Sequence, residues 1–303
     1  MSVRKIKKYS GVTVPVATPF KQDGTVDIDA TVRQNKYLAD NGMTPFLLGT
    51  TGESTSVPIK ERLKMVKAVI EAVGDNATVY AGAAGTSLGD VSDLAWQYYE
   101  NGIKVFVMHL PYYYPLSDAQ MLKFFSDVAD KVPAPIILYN MPATTHMSIP
   151  LPILEELSKH ENIIGVKDSE RDAERQIASI KMWKDREDFS FFVGWGAVMA
   201  EYLLLGADGI APSVGNIVPD LCKQLVDHAF AGNVGEANRV QDEMNKAAMI
   251  FQEGNTLGAS LAALKYVMHT MGLCEPHMLS PLTRLTGDTE AVLLEKAKYL
   301  IKK

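Results

Sequence analysis

The residue with the clearest chemical potential is Lys167, which closes the apolar run Ile163-Ile164-Gly165-Val166. Apolar surroundings disfavour an ammonium and leave free amine to attack a keto group, the first step towards a Schiff base. The same lysine would be silent if paired with a carboxylate, and Asp168 is the next residue. Tyr139 ends another apolar run, Pro135–Tyr139. A phenol near the amine can carry the protons that carbinolamine formation and dehydration move, although a lone tyrosine reads equally as core packing. Gly49-Thr50-Thr51-Gly52 sets two hydroxyl residues between glycines, so its backbone N–H groups can converge on an anion, or simply make a tight turn.

Other chemistries find less support. The histidines are scattered, with no HExxH and no Cys/His pairing, so no metal site is expected. No GxGxxG follows the first strand and no GxSxG occurs, which weakens dinucleotide and serine-hydrolase readings. Asp168, Glu53 and Asp208 fail as a carboxylate set because Asp208 begins its strand and lies at the far end from the others.

These residues need elements that bring them together. Short apolar runs at Val12–Ala17, Pro45–Leu48, Thr78–Ala81, Lys104–Met108, Pro135–Tyr139, Ile163–Val166, Ser190–Val193 and Asp208–Ala211 read as strands buried on both faces. They recur roughly every 30 residues, shortening to about 18 at the last step, the length of a βα unit. Between them lie helical patterns. Ile59, Leu63, Val66 and Ile70 form one apolar face, and Ser117 with Gln120 has the spacing of a capping box. Asn41-Gly42, Asn101-Gly102 and Gly206 end helices ahead of strands. Eight strands alternating with helices predict a (β/α)8 TIM barrel over residues 1–232, with Leu221–Phe230 in its eighth helix. Residues 233–303 read as a C-terminal helical extension packed on the barrel. In such a barrel the carboxyl ends of the strands hold the active site, which selects Gly49–Ser54, Pro111–Tyr114, Tyr139–Pro142 and Lys167–Ser169.

Bulk properties bound the partners. The 303 residues are 47% hydrophobic and 22% charged with a net charge of −6. That balance disfavours nucleic acid, and the short basic run Arg4-Lys5-Ile6-Lys7-Lys8 reads as a solvated tail. No window approaches the roughly 18 apolar residues of a membrane span, and no apolar stretch of a secretion signal follows the basic run. Two cysteines, Cys222 and Cys274, in apolar helical stretches suit a reducing cytoplasm.

Three stretches in order, Gly49-Thr50-Thr51-Gly52-Glu53-Ser54, Tyr139-Asn140-Met141-Pro142 and Gly165-Val166-Lys167-Asp168, closely resemble the dihydrodipicolinate synthase / N-acetylneuraminate lyase family of class I aldolases. The resemblance runs from about Ser10 into the helical tail. It implies that Lys167 forms the Schiff base, that Tyr139 shuttles protons, and that Gly49, Thr50 and Thr51 belong to the loop for the pyruvate carboxylate, with Thr50 bonded to Tyr139. It further implies that Tyr113 completes the proton relay of a neighbouring subunit, that Gly194 and Ile210 line the pyruvyl end, that no cofactor is needed, and that the chain forms a homotetramer, a dimer of dimers.

Two departures bear on the substrate. Dihydrodipicolinate synthases carry a carboxylate-binding arginine where this chain has Thr144, with His146 two residues on in place of a common glycine. Sialic acid lyases carry an acidic pair where this chain has Trp195-Gly196-Ala197. The residues therefore favour a pyruvate-dependent lyase or aldolase for a 2-keto-3-deoxy sugar acid or related 2-keto acid, with Thr144, Thr145 and Ser213 bonding along the chain. A 4-hydroxy-tetrahydrodipicolinate synthase joining pyruvate to aspartate semialdehyde is the alternative. A dehydratase using the same imine is a close variant. A keto-acid sensor would not need the free amine, and phosphosugar chemistry would want more glycine than Gly209–Gly215 supplies.

Overall fold

A computed structural model describes residues 6–301. Arg4 and Lys5 of the basic run lie outside the described residues, as do the outermost residues of both expected segments. Eight parallel strands close into a barrel in chain order: β1 (Gly11–Pro15), β2 (Thr44–Leu47), β3 (Tyr80–Gly82), β4 (Val105–His109), β5 (Ile136–Asn140), β6 (Ile163–Asp168), β7 (Ser190–Val193) and β8 (Gly209–Ile210). Each falls on an expected run, displaced by at most two residues at either end. Helices follow each strand: α1 (Ile28–Asp40), α2 (Ile59–Val73), α3 (Leu88–Glu100), α4 (Asp118–Lys131), the single turn α5 (Pro142–Thr145) with α6 (Leu151–Leu157), then α7 (Ala173–Trp183), α8 (Met199–Leu205) and α9 (Pro219–Phe230). Three more helices follow among the described residues: α10 (Val234–Gln252), α11 (Leu257–Thr270) and α12 (Asp288–Ile301).

The local signals act as their chemistry requires. Ser117 and Gln120 form both bonds of the capping box at α4, and Gly42, Gly102 and Gly206 take positive φ just beyond their helices. The period of two along each strand divides the apolar residues between two cores. Val105, Val107, Ile137 and Tyr139 join Phe46, Tyr80, Ile164 and Phe192 within the barrel. Their neighbours Phe106, Met108, Ile136 and Leu138 face outward into a larger core beneath the helices. Of the three later helices, α10 packs on α8 and α9, and α11 and α12 pack on α10.

Lys7 departs from the reading of a solvated tail. Its ammonium is buried at the amino end of the barrel, 2.8 Å from Asp208 Oδ2, and also donates to the carbonyls of Trp183 and Phe189. A flexible aliphatic stem lets a terminal lysine reach a buried carboxylate that a composition argument does not see. Asp208 stands, as expected, at the end of the barrel opposite Lys167. No helix among the described residues is long and apolar enough to cross a membrane.

Candidate active site

Strand register makes Lys167 and Tyr139 neighbours: Tyr139 on β5 pairs with Lys167 on β6, and His109 on β4 pairs with Tyr139. Both side chains point into the barrel and both are buried. Lys167 Nζ lies 4.1 Å from the centroid of the Tyr139 ring and 5.1 Å from that of Phe46. Asp168 does not neutralise it. Alternation along β6 turns Asp168 outward, where Oδ2 meets Arg175 Nε at 2.7 Å and Oδ1 accepts from Asn140 Nδ2 and Glu170 N. Asn140 Oδ1 accepts from Ile149 N, and Arg175 also donates to Ile149 O, so one polar network ties the ends of β5 and β6. The carboxylate that stood against the catalytic reading is already committed elsewhere.

The loop after β2 supplies the second half of the site. Within it Gly52 N and Glu53 N donate to Gly49 O and Thr50 O. The N–H groups of Thr50 and Thr51 have no acceptor among the described residues, and both residues line a cavity of about 450 Å³ with Tyr139 and Lys167. Gly49 itself stays out of the cavity; a Cβ there would fall 2.9 Å from the Phe46 ring, so its glycine serves close packing. Glu53, at φ 54°, sits in the left-handed region that a non-glycine residue adopts at a cost of roughly 1–3 kcal/mol. It is held there from far along the chain. Lys265 of α11 forms a fully buried ion pair with its carboxylate, Leu279 N donates to Oε2 at 3.2 Å, and Lys265 also donates to His277 O. Burial pulls Lys265 below the ordinary lysine range, while the Glu53 charge opposes that shift.

Other expected residues divide. Gly194 lines the cavity, where a Cβ would meet Ser169 Oγ at 2.1 Å, and Ser213 lines it too. Ile210 does not: on β8, Gly209 faces the Phe192 ring and Ile210 turns out into the helical core, leaving Ala211 to face the cavity. Thr144 lies in an adjoining cleft of about 320 Å³ with Thr50, His109 and Tyr112. The hydroxyls of Thr144 and Thr145 both donate to Met141 O, closing α5 on itself, so they are less free to follow a sugar chain than the sequence suggests. His146 is exposed at φ 58° and lines neither cavity. Among the described residues no hydrogen bond joins Thr50 to Tyr139. Tyr113 is 73% exposed on the loop after β4, stacked edge-on against Tyr114 and away from its own chain's cavity.

Several lining groups escaped the sequence reading. Arg171 lies just past Lys167 on the loop after β6, within the reach of the same strand-end rule that selected the lysine. Gln252, Asn255 and Ser260 come from the C-terminal extension, and no local pattern marks them as part of the mouth. His109 sits edge-on to Tyr139 with centroids 6.4 Å apart, and burial holds its imidazole below the ordinary range, neutral near pH 7. No group of three or more His, Cys, Asp or Glu among the described residues is placed to hold a metal ion.

The model of the dihydrodipicolinate synthetase family matches residues 8–299 of this sequence. The chain belongs to that family. Its members are lyases of the aldolase type, and this chain is an enzyme of that class. The 4-hydroxy-tetrahydrodipicolinate synthase of Chlorobaculum parvum is 29% identical over 293 residues, spanning 96% of this chain and 97% of that one. The dihydrodipicolinate synthase structure from Bacteroides thetaiotaomicron superposes with a TM-score of 0.90 at 26% identity, covering 97% of this chain and 100% of the other. A prophage protein of the same family from E. coli K12, solved in complex with pyruvate, superposes with a TM-score of 0.89 at 26% identity over 96% of this chain and 99% of its own.

The dependence of the β2 loop on α11 is open to measurement. Lys265→Met leaves a buried unpaired carboxylate at Glu53 and is expected to lower stability by about 3–5 kcal/mol. Urea unfolding reads the loss, and combining it with Glu53→Gln is expected to restore most of it. An unchanged unfolding midpoint in the single variant would show that the pair does not hold the loop.

Proposed function

We propose that the chain catalyses a pyruvate-dependent class I aldolase reaction in which Lys167 forms the imine with the 2-keto acid. The observation that carries this is the buried amine set against the Tyr139 ring without a carboxylate partner among the described residues, beside two free N–H groups at Thr50 and Thr51. A 2-keto acid fits this arrangement: its keto carbon meets Nζ while its carboxylate takes the N–H groups of Thr50 and Thr51. Attack forms the carbinolamine, and loss of water through a proton delivered by Tyr139 gives the imine. Deprotonation at C3 yields the enamine, which adds to an aldehyde or, in reverse, is released from one. Every step is acid–base chemistry, so no cofactor enters it.

The names borne by the relatives favour condensation with aspartate semialdehyde, the reading placed second from the residues alone. A deoxy-keto sugar acid remains the second reading, supported by the polar groups of Ser213, Gln252 and Asn255 on the cavity. The buried thiols of Cys222 and Cys274 support a cytoplasmic setting. Exposed tyrosines at 112, 113 and 114 on the rim support a two-fold neighbour that would receive Tyr113, in a dimer of dimers.

Pyruvate with borohydride is expected to leave a reduced adduct on Lys167 and abolish activity, read by peptide mass mapping. An unmodified Lys167 in fully inactivated enzyme would sink the mechanism. In turnover assays, condensation of pyruvate with aspartate semialdehyde is expected to exceed cleavage of any 2-keto-3-deoxy sugar acid by at least tenfold in kcat/KM; the opposite order would return the sugar acid to first place. Mixed Tyr113→Phe and Lys167→Ala protomers are expected to regain activity, because one hybrid site would be intact. Hybrids that exchange fully and recover nothing would place Tyr113 outside the relay.

A further inference from the structure

Charge around the cavity exceeds what imine formation requires. Two cations line it, Lys167 at its buried end and Arg171 on the exposed loop between β6 and α7. Arg175, four residues further on, is buried and spent on Asp168, Glu170 and the Ile149 carbonyl. Arg171 has no ion pair or side-chain hydrogen bond among the described residues. Glu170, the carboxylate on the same lining, is held by Ser148 Oγ at 2.5 Å, Asn140 Nδ2 at 2.9 Å and Arg175 Nε at 3.4 Å, so its charge is taken up by that network. Among the described residues the cavity therefore offers one uncommitted guanidinium beyond the amine. It lies four residues past Lys167, on the exposed part of the cavity lining.

A planar guanidinium with no partner, beside a cleft, suits a carboxylate through two parallel charge-assisted bonds. A 2-keto acid bound at Lys167 already has donors for its own carboxylate at Thr50 and Thr51. A phosphorylated partner fits less well. In barrels of this kind phosphate sits on the loops after the last two strands. Here Pro212 lacks an N–H, and the N–H groups of Gly194, Val198, Gly215 and Ile217 are taken by backbone carbonyls.

We propose that Arg171 binds a second carboxylate on the half of the substrate remote from the imine, so that the site selects substrates with anionic groups at both ends. The proposal rests on the imine at Lys167 and narrows the partner to carboxylated aldehydes. It also places the cation on the loop after β6 rather than at Thr144 after β5, where dihydrodipicolinate synthases carry their arginine.

Borohydride trapping with three keto acids separates the two claims. 2-Oxoglutarate and 2-oxopentanoate have the same chain length and differ in the distal carboxylate; pyruvate reports the imine alone. In the wild-type enzyme 2-oxoglutarate is expected to half-saturate Lys167 at lower concentration than 2-oxopentanoate. Arg171→Gln is expected to raise the half-saturating concentration of 2-oxoglutarate about ten- to a hundredfold relative to 2-oxopentanoate, the loss of one charge-assisted contact, and Arg171→Lys to recover part of it. An unchanged ratio in Arg171→Gln, or trapping of pyruvate but not of 2-oxoglutarate by the wild type, would overturn the assignment of Arg171. Failure of the wild type to trap pyruvate would overturn the imine itself and this inference with it.

Discussion

Adjacent basic and acidic residues ordinarily compensate one another, and a lysine beside an aspartate is a poor nucleophile when the two meet. On β6 the strand's period of two sends them to opposite faces, Lys167 into the apolar barrel and Asp168 into the layer beneath the helices. The separation holds because Asp168 finds Arg175 at 2.7 Å and two further donors, which satisfy a buried carboxylate without the lysine. Everything else at the site presupposes this division. In the proposed reaction Tyr139 can shuttle protons only to an amine left without a counter-ion, and the Thr50/Thr51 loop can orient a keto acid only if that amine is free to attack it.

Much of this was legible in the sequence because it follows from short-range periodicity. The strand runs, the helix stops and the capping box at Ser117 are local signals, and they place Lys167 and Tyr139 at strand ends on neighbouring strands. Where reading by position fell short, orientation decided. Ile210 and Ala211 differ by one residue, and only the fit of Gly209 against Phe192 shows which of them faces the cavity. Thr144 and Thr145 have suitable hydroxyls, yet a single turn of helix draws both onto Met141 O. Lys7 looked like a tail residue because nothing near it in sequence reveals Asp208, 201 positions away.

The C-terminal helices were read as packing and are part of the site. Gln252 and Asn255 reach the mouth from the end of α10, and Lys265 of α11 fixes the loop that carries the free N–H groups. Loops at the carboxyl face of a barrel are ordinarily set by the strands they follow. Here the β2 loop carries a residue in the left-handed region at Glu53, and its buried charge requires a partner outside the barrel.

That partner lies 212 positions from Glu53 along the chain. A ribosome emits the β2 loop long before it emits α11, so a chain that has reached Tyr139 and Lys167 still lacks the ammonium that meets Glu53. Burying that carboxylate unmatched is costly, which links closure of the loop to the docking of α11. The distant pair thus ties the β2 loop to an element beyond the barrel: the Glu53 carboxylate is buried at low cost only once α11 has folded onto it.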